Sequence, residues 1–152
     1  MFNLGYSWSP CNIRSSLPKD AILAGRDADK SPIYVGRALF SGHRLPAKVI
    51  PSKKACYIAF NGLEHSVQDF EVLIGKADKF TWEAASNGKV PENAISSDKV
   101  NNEELFIGRA VFEGSITVGK VHPSHSCLYI PFAGKEHSIR HYEVLVYKKP
   151  KS

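Results

Sequence analysis

The sequence lacks a hydrophobic run long enough to cross a bilayer, because charged or polar residues interrupt every apolar stretch. It also lacks a basic segment followed by an apolar one at its start, which is the pattern of a secretory signal. These absences predict a cytoplasmic protein. Export by a route without a signal, or association with a cell surface, remains open as the alternative.

Cysteine is scarce as well. The chain has three, Cys11, Cys56 and Cys127, and an odd, sparse set is not a disulfide framework. We therefore expect all three thiols to be reduced.

Motifs that carry catalysis or hold cofactors are missing too. There is no Gly-rich phosphate loop, nucleophile elbow or cysteine nucleophile motif. The segment from Asp27 begins like a calcium loop, but Pro32 stands where such a loop needs glycine and Ala38 where it needs glutamate. His122, His125, Cys127 and His141 are potential zinc ligands. A zinc site is not favoured, because the chain contains an internal repeat whose first copy lacks matching ligands. We predict no catalytic residue, no metal, no cofactor and no enzyme activity.

What the chain does have is an internal repeat. Residues 33–75 return as residues 105–147 at a constant offset of 72, and 19 of the 43 positions are identical. Trp8 and Trp82 extend the match upstream. We predict a first repeat over residues 6–75, a second over 80–147, both packed as one compact domain, and a basic tail over 148–152.

The periodic stretches alternate apolar and polar residues and are rich in β-branched and aromatic types. Closely spaced turn pairs such as Asn61-Gly62 leave no room for helices of ordinary length. The sequence therefore predicts an all-β, antiparallel fold, a pseudo-twofold β-sandwich or flattened barrel built from two tandem repeats. Whether strands are exchanged between the repeats stays open.

Two repeated charged motifs are interpreted as structural. Arg37 and Arg109 are expected to bond Glu71 and Glu143 or backbone carbonyls, with anion binding or catalysis as the alternative. The Glu-His pairs at 64–65 and 136–137 suggest acid–base chemistry, but adjacent strand residues point to opposite faces and cannot touch. We expect them to satisfy backbone groups near the turns.

Two further pairs of charges, one per repeat, are candidates for ligand binding. Asp27 and Lys48 form the first pair, and Asp98 and Lys120 the second. A carboxylate accepts hydrogen bonds from vicinal hydroxyls while an ammonium donates to their oxygens, so such a pair can hold a polyol. The competing interpretation is an ordinary surface salt bridge.

These motifs resemble those of the DM9 repeat family of invertebrates. The residues that carry the resemblance, in both copies, are Ala24-Gly25-Arg26-Asp27, Gly36-Arg37-Ala38, Lys48-Val49-Ile50-Pro51-Ser52, Glu64-His65, Glu71-Val72-Leu73, Gly108-Arg109-Ala110, Lys120-Val121-His122-Pro123-Ser124, Glu136-His137 and Glu143-Val144-Leu145. The family includes mannose-binding lectins of innate recognition and the sugar-binding part of natterin-like pore-forming proteins. The resemblance implies a lectin in which Asp27 and Lys48 hold the sugar. In the second repeat, Asp98 takes the equivalent place only if its loop shifts register by one residue.

The sequence thus predicts a calcium-independent carbohydrate-binding protein that recognises mannose-type glycans in pathogen or host-surface recognition. We expect a homodimer, no nucleic-acid partner, and a capacity for association with membrane surfaces. The alternative is a non-enzymatic interaction protein of a surface or tegument-like layer. That protein would bind lipid or protein through its basic face, in keeping with the net charge of +5.

Overall fold

The structure, a computed structural model, describes residues 5–148. Of the predicted basic tail, only Lys148 falls within this range. The described part consists of strands joined by turns and three short 3₁₀ helices (Pro51–Lys53, Ala77–Lys79 and Pro123–His125). The first half contains β1 (Tyr6–Asn12), β2 (Leu23–Arg26), β3 (Pro32–Phe40), β4 (His43–Ile50), β5 (Ala55–Phe60), β6 (Leu63–Ser66) and β7 (Asp69–Gly75). The second half contains β8 (Phe80–Ser86), β9 (Ser96–Val100), β10 (Glu103–Phe112), β11 (Ser115–His122), β12 (Cys127–Phe132), β13 (Lys135–Ile139) and β14 (His141–Tyr147).

Turn chemistry explains where many of these strands end. Both residues of the turns Ser41-Gly42, Asn61-Gly62, Asn87-Gly88, Glu113-Gly114 and Ala133-Gly134 have positive φ. Two consecutive positive φ values give the tight turn whose twist matches antiparallel strands, and glycine adopts such a value without strain. The turns predicted from the sequence are therefore present.

The strands close into an eight-stranded antiparallel barrel. Around the barrel the order is β2, β3, β4, β5, β6, β13, β12 and β11, and β2 closes the ring by pairing with both β3 and β11. At the opposite junction, β6 pairs with β13 through Leu63 and Lys135. The all-β, antiparallel prediction is confirmed, and of the two expected architectures the structure is a barrel.

Additional strands extend the sheet beyond the barrel. β7 pairs with β3 and β1 pairs with β7 on one side. On the other side β10 pairs with β11, β14 with β10, β8 with β14, and β9 with β10. Corresponding pairs differ by 72, as Lys48↔Tyr57 and Lys120↔Tyr129 illustrate.

The central hydrophobic cluster draws on both halves. It includes Val35 and Leu73 from the first half and Ile107 and Leu145 from the second, all 0% exposed. Burial of such side chains is the main source of stability in a domain of this size. Because the halves share this cluster, each depends on the other for a covered core.

The Gly-Arg-Ala steps mark places where strands approach closely. A Cβ on Gly36 would lie 2.6 Å from Val49 Cγ2, and one on Gly108 would lie 2.7 Å from Val121 Cγ2. Ala or any larger residue would therefore force the strands apart. At both glycines a valine methyl of the neighbouring strand occupies the space that a Cβ would need.

The two arginines are bound as expected. Arg37 Nε donates to Glu71 Oε1 at 2.8 Å and Arg109 Nε to Glu143 Oε1 at 2.8 Å. Each arginine also donates to a backbone carbonyl in the opposite half, Arg37 to Ser97 and Arg109 to Ala24. The structural interpretation is confirmed, and the arginines join the halves.

Candidate functional site

Lys48 and Lys120, the predicted ligand-binding lysines, are both buried. They are only 4% and 7% exposed, respectively. Lys48 lies on β4 opposite Tyr57, and its ammonium is 5.4 Å from the centre of that ring. Lys120 lies on β11 opposite Tyr129, with its ammonium 5.5 Å from that ring.

Each lysine pairs with a glutamate of its own half. Lys48 Nζ lies 3.1 Å from Glu64 Oε2, and Lys120 Nζ lies 3.0 Å from Glu136 Oε2. Each ammonium also donates to a carbonyl of the other half: Lys48 to Pro131, and Lys120 to Ala59 at 2.7 Å. A buried ammonium needs this compensation, since an unpaired one would be strongly destabilising.

The glutamates complete the cross-connection. Glu64 Oε1 accepts from the Gly134 N–H at 2.9 Å, and Glu136 Oε1 accepts from the Gly62 N–H at 3.0 Å. We call Lys48, Glu64, Lys120 and Glu136 the buried clasp. It fastens the tip of each β-hairpin to the other half of the chain.

The histidines beside these glutamates have separate partners. His65 Nε2 lies 3.0 Å from the Phe60 carbonyl, and His137 Nε2 lies 2.9 Å from the Phe132 carbonyl. The expectation that the Glu-His pairs satisfy backbone groups is confirmed. No direct carboxylate–imidazole contact joins the neighbours.

Asp27 follows β2 and is held at the surface near Lys48. Its Oδ1 accepts from the Ala28 N–H at 2.8 Å, and its Oδ2 accepts from Lys53 Nζ at 2.8 Å. Asp29 Oδ2 lies 3.1 Å from the same ammonium. The structure thus brings Asp27 close to Lys48 but gives it Lys53 as its direct partner.

Electrostatics keep these carboxylates ionised. Burial alone would raise the pKa of Asp27, but the hydrogen bonds from Lys53 and Ala28 and the charge of Lys48 outweigh it and lower the pKa. Hydrogen bonds from Ser31, together with Lys53, lower the pKa of Asp29 to about 2. The hydrogen bond to Asp27 raises the pKa of Lys53. We call Asp27, Asp29, Lys48, Lys53 and Glu64 the first polar cluster.

Asp98 does not occupy the position in the second half that Asp27 occupies in the first. Asp98 pairs with Leu105 in β10, whereas the residue paired with the corresponding Ile33 is Gly25. Val100 pairs with Glu103, and Asp27 bonds Ser31, the residue that corresponds to Glu103 at the offset of 72. Val100 is therefore the counterpart of Asp27. The one-residue shift that Asp98 would need to match Asp27 is absent, because β9 corresponds to β2 at an offset of 73, whereas Asp98 and Asp27 differ by 71.

The contacts of Asp98 agree with this register. Its Oδ2 lies 3.6 Å from Arg44 Nη1. Within residues 5–148 no ion pair joins Asp98 to Lys120. The predicted second pair of charges is thus not assembled.

Instead, Lys120 lies at the base of a cleft of about 350 Å³, which we call the second cleft. The cleft draws on both halves of the chain, because His43, Phe60 and Asn61 of the first half face Lys120 and Tyr129 of the second. Val100 and Asn101 lie on its rim where the first polar cluster has its aspartates. The second cleft therefore differs chemically from the first polar cluster.

Two histidines form one wall of the second cleft. The rings of His122 and His125 stack with centroids 3.6 Å apart and planes 14° apart. His125 Nδ1 shares a hydrogen bond of 2.9 Å with the Tyr129 hydroxyl, and Glu103 Oε1 lies 3.4 Å from His122 Nδ1. The rings do not converge on a metal position, and within residues 5–148 no group of three or more His, Cys, Asp or Glu has that arrangement.

The sequence argument missed several of these residues. Lys53, Asp29 and His43 were not among the predicted ligand-binding residues. A signal was available in the repeat itself, since His122 replaces Ile50 and His125 replaces Lys53 at the offset of 72. Such departures from an otherwise faithful repeat mark where the two sites differ.

Within residues 5–148, none of the helical segments has the length and hydrophobicity that a bilayer-spanning helix requires.

Fold and site together define a closed β-barrel protein whose halves are joined by buried ion pairs beneath polar surface sites. Residues 27–139 match the family model described as the DM9 repeat. Since this match covers most of the chain, the protein belongs to the DM9 repeat family, which is linked to carbohydrate binding. The family prediction is confirmed.

This chain is similar to parts of larger proteins. Natterin-3 from Thalassophryne nattereri is 30% identical over 92 residues, covering 59% of this chain and 23% of the relative. Natterin-4 from the same organism is 27% identical over 125 residues, covering 76% of this chain and 29% of the relative. The chain thus spans less than a third of the length of either.

The crystal structure of the nematode sperm cell motility protein MFP2B superposes with a TM-score of 0.70 at 11% identity. The match covers 97% of this chain and 48% of that protein. At this identity the likeness concerns the fold alone.

Proposed function

We propose that this protein is a calcium-independent carbohydrate-binding protein that recognises mannose-type glycans through the first polar cluster. The observation that carries the proposal is the fixed, ionised carboxylate of Asp27 beside the ammonium of Lys53. A carboxylate and an ammonium side by side offer acceptors and donors to vicinal hydroxyls. The link of the family to carbohydrate binding supports the same conclusion.

Lys48 has a different role in this proposal from the one that the motif alone suggests. It is 4% exposed and already contacts Glu64 and the Pro131 carbonyl. An ammonium has three N–H donors, so one remains for a ligand that reaches the base of the cluster. Asp27 and Lys53 make the outer contacts, and Lys48 contributes charge and one donor from below.

The proposal includes an origin of the fold from two tandem repeats. It rests on the internal identity at an offset of 72 and on strand pairs that recur at the same offset. One such site on each chain, doubled in a homodimer, would strengthen binding to clustered glycans through avidity. The protein binds its ligand without altering it.

A glycan array in the presence of EDTA tests this function. The wild-type protein should bind mannose-terminated glycans, and Asp27→Asn and Lys53→Met should lose most of the signal. Asp98→Asn is the matched control, because the surface carboxylate of Asp98 accepts from the Lys99 N–H and lies 3.6 Å from Arg44 Nη1, away from the first polar cluster. Arrays without signal for the wild type, or equal signals for Asp27→Asn and the wild type, would contradict the proposal.

A second candidate function is binding to an anionic lipid surface or an acidic protein. It is favoured by a groove of about 450 Å³ whose lining includes Lys76, Lys79, Tyr6 and Tyr147. Salt separates the two candidates, because attraction between exposed charges is screened as ionic strength rises. Binding that disappears between ~50 mM and ~500 mM salt favours the second candidate, while neutral-sugar binding should change little.

A further inference from the structure

The second cleft differs from the first polar cluster in the balance of hydrogen-bond donors and acceptors. The first polar cluster presents Asp27 and Asp29, which only accept. In the second cleft, Val100 takes the position of Asp27, and the amide of Asn101 stands nearby. A donor-rich site favours a ligand that carries additional acceptors.

The single carboxylate lining the second cleft is already engaged. Glu136 Oε1 accepts from Gly62 N–H, and Glu136 Oε2 lies 3.0 Å from Lys120 Nζ. This oxygen contacts the ammonium without hydrogen-bond geometry and has no hydrogen-bond partner within residues 5–148. The charge of Glu136 is thus compensated by Lys120, and protonation of His122 adds a positive charge to the cleft.

The hydrogen bonds of His122 and His125 leave one nitrogen of each ring for a ligand. Nδ1 of His125 is bonded to the Tyr129 hydroxyl, and Nδ1 of His122 lies 3.4 Å from both Ser124 Oγ and Glu103 Oε1. In the part of the chain that the structure describes, neither Nε2 has a hydrogen-bond partner. The rings are stacked with centroids 3.6 Å apart, and an anion bound beside them favours the protonated form of His122.

We propose that the second cleft is a separate binding site for a carboxylate-bearing saccharide, such as a uronic acid, and that it binds this ligand when His122 is protonated. The carboxylate accepts hydrogen bonds from the imidazolium of His122 and from Nε2–H of His125. Asn61, Asn101 and the free donor of Lys120 hold the sugar ring. This site is independent of mannose binding at the first polar cluster.

The surroundings of His122 are consistent with switching in the acidic range. Burial and the neighbouring His125 lower the pKa of His122, and the carboxylate of Glu103 opposes this only in part. The charged and titratable groups around His122 lie on five strands and on the 3₁₀ helix Pro123–His125. They are His43, Glu103, Lys120, His125, Tyr129 and Glu136. A bound carboxylate adds a negative charge and raises the pKa of His122, so binding strengthens as pH falls.

Isothermal titration calorimetry with glucuronate, glucose and acetate at about pH 5.5 and about pH 7.5 tests this proposal. Glucuronate should bind at the lower pH and weaken by about tenfold or more at the higher pH, since charge-assisted hydrogen bonds are lost. Glucose, which lacks the carboxylate, and acetate, which lacks the ring, should each bind more weakly than glucuronate.

Variants locate the site and keep the result separate from mannose binding. His122→Asn with His125→Asn should abolish the glucuronate response, and Asp27→Asn should leave it unchanged. Chemical shifts of the imidazole protons in the wild-type protein provide a second readout, and those of His122 and His125 should move as glucuronate is added. The proposal is overturned if glucuronate does not bind at either pH, binds equally at both, binds no better than glucose, or still binds to the double histidine variant.

Discussion

At the residue scale, the two halves differ most in their buried polar groups. The Ser97 side chain is 1% exposed, and its hydroxyl has no hydrogen-bond partner within residues 5–148. The corresponding residue of the first half is Ala24, since Arg37 bonds the Ser97 carbonyl and Arg109 bonds the Ala24 carbonyl. A buried hydroxyl without a partner costs free energy that an alanine does not.

Ser97→Ala is therefore expected to raise the free energy of unfolding by about 1 kcal/mol, as the desolvated hydroxyl is removed. Urea denaturation measures the change. Ser115→Ala is the control, because Ser115 is also 1% exposed but its hydroxyl donates to the Phe112 carbonyl at 3.1 Å. That variant should lose stability. A loss of stability in Ser97→Ala would show that its hydroxyl has a partner.

Lys53 controls how stability depends on pH. The pKa values of Asp27 and Asp29 lie below the ordinary 3.8. Their contribution is therefore fully present above pH 3.8 and is lost as the pH falls through the folded-state values, to about 2 for Asp29.

In Lys53→Met, this acid dependence should be shallower, because the hydrogen bonds from Lys53 that help to lower both pKa values are gone, while those from Ser31 to Asp29 and from Ala28 to Asp27 remain. The urea midpoints of wild type and variant, followed from neutral pH downward, should differ most above pH 3.8 and converge towards about 2. Lys54→Met, at the neighbouring exposed position, serves as the control. Parallel curves for wild type and Lys53→Met would contradict the assignment of Lys53 as the partner of Asp27.

At the element scale, strand spacing differs between corresponding pairs. Ala47 in β4 and Gly119 in β11 occupy corresponding positions, opposite Gly36 and Gly108. A Cβ on Gly119 would run into the Tyr129 carbonyl and lie 3.0 Å from Ile130 Cα. Both are backbone atoms, which cannot move aside as a side-chain end can.

We expect Gly119→Ala to lower the free energy of unfolding by about 2–3 kcal/mol, although alanine is native at the corresponding position. The reverse change in the first half, Ala47→Gly, removes only a methyl group and should cost about 1 kcal/mol. Thermal unfolding of the two variants gives the comparison. Equal stabilities would mean that β11 and β12 are no closer than β4 and β5.

The sequence predicted those elements whose causes are local. Alternation located the strands, and paired turn residues located the hairpins. The repeated spacing of Arg37 and Glu71 anticipated their ion pair. The sequence could not predict that β2 closes the barrel. This closure depends on pairing between Arg26 of β2 and Ile116 of β11, which lie far apart along the chain.

The candidate site was predicted less completely for the same reason. Asp27 and Lys48 were correctly placed near one another. The direct partner of Asp27, Lys53, was not predicted, because its position is set by the 3₁₀ helix Pro51–Lys53. Asp98 does not take the place of Asp27 because β9 follows β2 at an offset of 73, and the residue missing from the second half lies in the turn after Val100. Sequence spacing alone does not reveal such a shift.

At the scale of the whole molecule, the buried clasp makes the halves interdependent. Lys48 and Lys120 each reach a carbonyl of the opposite half. The residues of the clasp are nearly inaccessible, with side-chain exposures between 5% and 12%. Breaking one member leaves a buried charge without its counterpart.

Lys120→Met alone should destabilise the protein by about 3 kcal/mol or more, since Glu136 is left buried and unpaired. Lys120→Met combined with Glu136→Gln should recover part of the loss, and a double-mutant cycle in guanidinium chloride measures the coupling. The matched cycle at Lys48 and Glu64 should give a similar coupling energy. The wild-type protein should unfold in one cooperative transition. Two separate transitions in the wild type would show that the halves fold independently.

The proposed function of the whole molecule depends on the first polar cluster and not on the second pair of charges, Asp98 and Lys120. Asp27 belongs to that cluster, and Asp98 contacts Arg44 elsewhere. The two aspartates are therefore a matched pair in which only one is expected to bind sugar.

Titration calorimetry of methyl α-mannoside against the wild type, Asp27→Asn and Asp98→Asn in EDTA tests this claim most directly. The wild type and Asp98→Asn should bind methyl α-mannoside, and Asp27→Asn should not. Absence of binding by the folded wild-type protein, or undiminished binding by Asp27→Asn, would contradict it.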